Sequence, residues 1–208
     1  MSLRCHRSMT MFAVGAALTL AACSDVTAPA ATDLAAEPPS LSRPAPQPSV
    51  AKLEIDYMEF AIDHHLAGIV MAQLCVERAI HEELRQLCRE SIASQQRQIE
   101  LFRTWLRDWY GINYVGEIPQ SAAQDIRRLS QLYGAEFEDE FLTEFSKHHL
   151  RIIKESEKVV RRGYHEELRR EAQMTITNQS RQVVQMQTWD CQWYDDCRRG
   201  LIKQAQRS

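Results

Sequence analysis

From Glu54 to about Arg78 the apolar residues Ile55, Met58, Ile62, Ile69, Ala72 and Val76 are spaced by three, four and seven. That is the period of one helix face. From Glu82 to Tyr110 the series Leu84, Cys88, Ser91, Gln95, Gln98, Phe102, Trp105 and Trp109 alternates four and three, like a heptad seam. Glu82 and Glu83 stand where acids favour a helix N-terminus, and Gly111 stands just past the end as a C-cap. The pattern predicts a helix hairpin over residues 51–111.

A shift of 84 residues lays the chain on itself. His64-His65-Leu66 falls on His148-His149-Leu150, and His81-Glu82-Glu83-Leu84-Arg85 falls on His165-Glu166-Glu167-Leu168-Arg169. Gln95, Arg97 and Gln98 fall on Gln179, Arg181 and Gln182, and Trp105, Trp109 and Tyr110 on Trp189, Trp193 and Tyr194. Without a gap, 19 of the 47 positions from His64 to Tyr110 are identical. The match predicts a second hairpin over residues 136–200, with helices from about Glu136 to Arg162 and from Glu166 to about Tyr194, turning at Gly163. Residues 112–135 connect the halves and hold a short helix from Ser121 to Tyr133; residues 201–208 are a tail. Two hairpins carry four apolar stripes, and an antiparallel four-helix bundle buries all of them. The expected fold class is all-α.

Composition agrees. Seven glycines in 208 residues are about half the usual share of roughly 7%, which argues against a β-rich fold with its glycine-dependent turns. A net charge of −3 leaves no electrostatic footprint for nucleic acid.

At the start, Arg4 and Arg7 precede an apolar run from Met9 to Ala22. The run has signal-peptide length and falls short of the roughly 20 residues a membrane span takes. It ends in Leu20-Ala21-Ala22-Cys23, which resembles the lipobox of bacterial lipoproteins. The resemblance implies cleavage after residue 22 and lipidation of Cys23; an ordinary signal peptide cleaved nearby is the alternative. Ser24 in place of aspartate favours an outer-membrane anchor facing the periplasm. Loss of residues 1–22 moves the net charge from −3 to −5. Residues 24–50, rich in Ala, Pro, Ser and Thr, read as a semi-extended tether.

Once His6 leaves with the leader, six histidines remain in three matched pairs. Neighbours on a helix point 100° apart, so each doublet addresses two faces. His64 shares a stripe with Tyr57, Phe60 and Met71, and His148 shares one with Phe141, Glu144 and Glu155. Imidazole with carboxylate suits Zn, Fe or Mn, whereas imidazole with thioether suits Cu(I). The candidate ligands are therefore His64, His65, Met71, His148, His149, Glu144 and Glu155. The competing reading makes the histidines interior residues bonded to side-chain amides, with Gln95, Gln98, Gln179 and Gln182 as available partners. His81 and His165 open second helices and read as caps or hairpin contacts. The Trp and Tyr ladder reads as packing.

The run Tyr57 to Ala72 with His64-His65 and Met71, followed by Gln95, Gln98 and Trp105-Leu106, resembles the domain of unknown function 305 family. Both halves carry the pattern, over residues 54–110 and 138–194, which reads as two tandem copies. The resemblance implies a ferritin-like helical protein of the bacterial envelope, with copper as the metal handled by some members. Phe60-Ala61 and Glu144-Phe145 stand where the family has Met-Met, and Glu155 stands where Met71 does in the first half, so Zn and Fe stay open beside copper.

With Cys5 in the leader and Cys23 the lipidation candidate, Cys75, Cys88, Cys191 and Cys197 remain, an even number for an oxidising compartment. Cys75 and Cys88 flank the turn near Ile80, and Cys191 and Cys197 can meet if the helix breaks between them. Disulfides are expected for both pairs. Neither the Glu-x-x-His spacing of di-iron enzymes nor a phosphate loop is found, so no enzymatic activity is expected. The two functional readings are a lipid-anchored envelope protein that buffers or delivers a transition metal, and a structural bundle that binds another envelope protein or a second copy of itself.

Overall fold

The computed structural model describes residues 45–197. The leader, Cys23, most of the tether and the 201–208 tail lie outside them. Among the described residues there are five helices, α1 Pro48–Arg78, α2 Glu82–Tyr110, α3 Gln120–Leu129, α4 Gly134–Arg162 and α5 Glu166–Tyr194, and no strand. Helix α1 starts three residues before the expected Ala51 because Pro48 takes its first turn, where a proline has no needed N–H to lose. Helix α3 stops at Leu129, short of Tyr133, and the Arg78 guanidinium collects the carbonyls of Ser130 (2.6 Å) and Leu132 (2.9 Å) beyond it. Gly111 ends α2 with a left-handed φ of 69°, while the Ile112 amide donates back to Leu106. That is a left-handed helix cap, with the Gly111 amide donating to Arg107, which glycine accommodates without strain.

Helices α1 and α2 pack along each other, as do α4 and α5; the two hairpins meet through α1 and α4, and α3 lies against both of these. The apolar faces close into two clusters. One is built around Phe137, Phe141, Phe145, Leu84, Leu129 and Met186, and the other around Tyr57, Met58, Ile62, Phe102, Leu106 and Leu168. Each such side chain, fully buried, contributes about 1.5–3 kcal/mol.

A reciprocal pair of buried carboxylates joins the hairpins. Glu54, on α1, reaches the turn of the second hairpin, where its Oε1 accepts the amides of Tyr164 (2.6 Å) and His165 (2.8 Å). Its Oε2 accepts the His165 Nδ1–H (2.7 Å) and the Tyr110 hydroxyl. Glu138, on α4, does the same for the first hairpin: it accepts the amides of Ile80 (2.5 Å) and His81 (2.7 Å), the His81 Nδ1–H (2.7 Å) and the Tyr194 hydroxyl. Trp109 stacks on His165 and Trp193 on His81, each at 3.8 Å between ring centres. Both glutamates have no solvent exposure. Burial pushes their carboxyls up, but the hydrogen bonds from tyrosine, histidine and backbone outweigh it, and both stay below the ordinary glutamate range. The carboxylates also sit at the N-termini of α2 and α5, where the helix dipole favours negative charge. His81 and His165 are thus hairpin contacts, as their positions suggested, with the partner supplied by the opposite hairpin.

Disulfides join Cys75 to Cys88 and Cys191 to Cys197. The second forms because α5 ends at Tyr194 and Asp195 turns left-handed (φ 57°). Two disulfides are the chemistry of an oxidising, extracytoplasmic compartment. None of the described helices is long and apolar enough to cross a membrane.

Two predictions follow from these contacts. The Cys75–Cys88 bond closes 13 residues, so Cys75→Ser with Cys88→Ser lowers unfolding free energy by about 3 kcal/mol, readable by denaturant titration. The depressed glutamate pKa values contribute stability that is complete above the ordinary value near 4.3 and is lost as pH falls from there through the lower folded-state values. Glu54→Gln or Glu138→Gln costs about 2–3 kcal/mol at neutral pH, the scale of hydrogen bonds to a charged group, and shallows the acid limb; an unchanged limb refutes the assignment.

Candidate metal centre

The two doublets face each other where α1 crosses α4. His64 and His148 stack with ring centres 3.6 Å apart and planes 10° from parallel. Phe60 and Phe145 stack on the outer faces of this pair, at 5.4 and 5.7 Å. The Nε2 atoms of both histidines are buried and have no hydrogen-bond partner. His65 and His149 have no exposed surface. His65 lies against Phe102 with neither ring nitrogen hydrogen-bonded, while His149 Nε2 meets Gln182 Oε1 at 2.9 Å.

These imidazoles are held neutral. Burial, then the neighbouring His65 and His149, keeps His64 well below the usual histidine value; burial, then His64, does the same for His148, and Arg151 acts on both. Burial, assisted by His149, takes His65 down to about 3, and burial takes His149 to about 4 against its bond to Gln182. A neutral imidazole is the form that binds metal.

The glutamines tie the outer helices together. Gln182 Nε2 donates to Ser91 Oγ (3.1 Å), and Gln98 Nε2 donates to Thr175 Oγ1 (2.8 Å) and Glu171. Gln95 and Gln179 are buried, each with an unpartnered Oε1. All four line a polar groove of about 610 Å³ between α2 and α5. On the other side, a pocket of about 320 Å³ is lined by His64, His148, Phe60, Arg151 and the start of α3. Asp63, next to the first doublet, holds the connecting segment over this side: it accepts the Tyr114 hydroxyl and the Glu117 amide, both at 2.8 Å.

The remaining sequence candidates lie apart from the stacked pair. Met71 is buried in the cluster of Phe137 and Phe141. Glu144 is ion-paired with Lys147 and Arg128, and Glu155 with Lys158. Among the described residues, the group of three His, Cys or acidic ligand atoms within 4.8 Å of one another is Asp139, Asp190 and Asp196, not the histidines.

Sequence reasoning passed over Gly68 as well as the two locking glutamates. Glu54 and Glu138 obey the 84-residue offset, but the residues around them differ between the halves, which hides the match. Gly68 lies one turn after His64 in an otherwise strong helix, where glycine costs about 1 kcal/mol against alanine. A Cβ there would come within 2.4 Å of Gln95 Oε1 and 2.7 Å of His148 Nε2.

The model of the domain of unknown function DUF305 matches residues 54–190 as one stretch spanning both hairpins. The chain belongs to the DUF305 family. Among solved structures it is similar to CopM in its Cu(I)-bound form, at 26% identity and TM-score 0.62, covering 68% of this chain and 97% of that one. It is likewise similar to CopM in a silver-soaked form, at 25% identity and TM-score 0.61, covering 68% and 96%. A DUF305 protein of Streptomyces coelicolor shares the fold at 19% identity and TM-score 0.59, covering 65% of this chain and 89% of that one. Comparison with curated proteins finds no match.

The lowered histidine values carry a sign. The unfolded chain binds protons below about pH 6.5 that the folded chain refuses, so stability falls as pH drops from there towards 4. In the metal-free protein, four imidazole resonances stay in their neutral form from pH 8 to pH 5. Titration of these four near 6.5 refutes the burial account.

Proposed function

We propose that this chain is a lipid-anchored envelope protein that binds a transition metal, copper before Zn or Fe, to buffer or deliver it. The observation that carries the reading is the stacked pair His64 and His148, two neutral imidazoles whose buried Nε2 atoms lack partners. A buried polar atom left unpaired costs about 1–3 kcal/mol, a cost that a bound cation removes. Imidazole donors fit Cu and Zn alike, and the Cu(I)- and Ag-bound forms of CopM, on a similar fold, favour copper. His64 and His148 would hold the ion, with His65, His149 and Met71 in the layers around it. Glu144 and Glu155 would join only by leaving their lysine partners.

The four long helices act in this reading as an antiparallel, ferritin-like bundle made of two copies of one hairpin. Cys23 anchors it, with the outer membrane as the favoured site, and the chain turns over no substrate. Buffering needs no partner; delivery needs an envelope protein or a second copy to receive the metal. The second reading, a structural or interaction bundle without metal, is favoured by the His149–Gln182–Ser91 hydrogen-bond chain, which pairs one ring nitrogen of a buried histidine with an amide.

Copper titration followed by thermal melting separates the two. The metal reading expects tight copper uptake and a melting temperature that rises with metal, since binding only the folded state stabilises it; His64→Ala with His148→Ala abolishes the rise. Absence of stoichiometric Cu, Zn or Fe after loading leaves the structural reading.

A further inference from the structure

Matched halves would furnish two equivalent corners around the histidine layer, one near Gln95 and one near Gln179. They are not equal. At the first, Gly68 of α1 leaves its flank open, and Gln95 Oε1 from α2 and His148 Nε2 from α4 close on the bare Cα: a Cβ would stand 2.4 and 2.7 Å from them. Both atoms are buried and neither has a hydrogen-bond partner. At the second, the residue 84 positions on from Gly68 is Ile152, fully buried in the core with Tyr57 and Phe102. Ile152 carries the Cβ and branched side chain that Gly68 lacks.

We infer that the chain holds one interior metal site, at the Gly68 corner with Gln95 Oε1 and His148 Nε2 as donors, and not a pair of equivalent sites. The inference rests on the metal-binding reading above and sharpens it. An amide oxygen and an imidazole nitrogen from different hairpins converge where the backbone carries no side chain, and each has a lone pair without a donor. His64, one turn before Gly68, adds a third unpartnered nitrogen through its stack on His148. Gly68 itself touches no metal. Its role is positional, keeping open the space into which both donors reach.

The test compares Gln95→Leu with Gln179→Leu, two buried glutamines at matched positions, and adds Gly68→Ala in the full chain. Gly68→Ala displaces the Gln95 amide, the flexible one of the two groups its methyl meets, and its metal-free melting temperature shows whether the fold is kept. The readouts are copper per chain by intact-protein mass spectrometry, Cu(I) affinity by chelator competition, and the metal-free melting temperature. The wild type is expected to take one tight equivalent. Gln95→Leu and Gly68→Ala weaken it tenfold or more, while Gln179→Leu changes it less than threefold. Two equivalents of equal affinity, equal losses in the two glutamine variants, or wild-type affinity in Gly68→Ala would each overturn the single-corner site. A wild-type chain that takes up no copper brings down the metal reading itself, a result distinct from all of these.

Discussion

Two carboxylates without solvent exposure govern the placement of every long helix. Burying an ionised glutamate is tolerable only when its lone pairs are filled, and each of these accepts two amides, an imidazole and a phenol. All but the phenol partners come from the opposite hairpin, so sliding one hairpin against the other strands a charge at both ends. That fixes the register of α1 against α4. Each doublet lies ten residues after its glutamate, about 15 Å along the helix axis at 1.5 Å per residue. The two locks therefore straddle the histidine layer and hold His64 against His148 from both sides.

Much of this was legible in the chain. Periodicity located the four long helices to within a few residues, and the cysteine spacing anticipated both disulfides. The 84-residue offset identified the histidines as pairs. What it could not reveal is which hairpin supplies a partner to which. His81 and His165 are equivalent by sequence whether their glutamates come from the same half or the other, and only packing decides. Glu144 was visible on the His148 stripe, yet Lys147, three residues on, lies nearer on the helix surface and takes it; Lys158 does the same for Glu155. Local i, i+3 pairing competes with long-range ligation, and periodicity registers both alike.

The histidine layer sits oddly in a bundle otherwise built for stability. Native interiors pair nearly all their buried polar atoms, and Gln98 and Gln182 obey that rule across α2 and α5. The stacked imidazoles and Gln95 do not. A polar groove lies on the Gln95 side of this layer and the pocket beneath α3 on the His64 and His148 side. Membership in DUF305 and likeness to CopM set the fold; the unpaired imidazoles are read from this chain's own side chains.

The cross-wise lock also shapes the order of folding. A ribosome releases the first hairpin while Glu138 is still to be made, leaving the amides of Ile80 and His81 without their acceptor and Glu54 with the Tyr110 hydroxyl alone. The early half cannot reach its final state by itself. An unfinished first half lacks both locks until the second hairpin arrives, so the four long helices close into one bundle only when both halves are present.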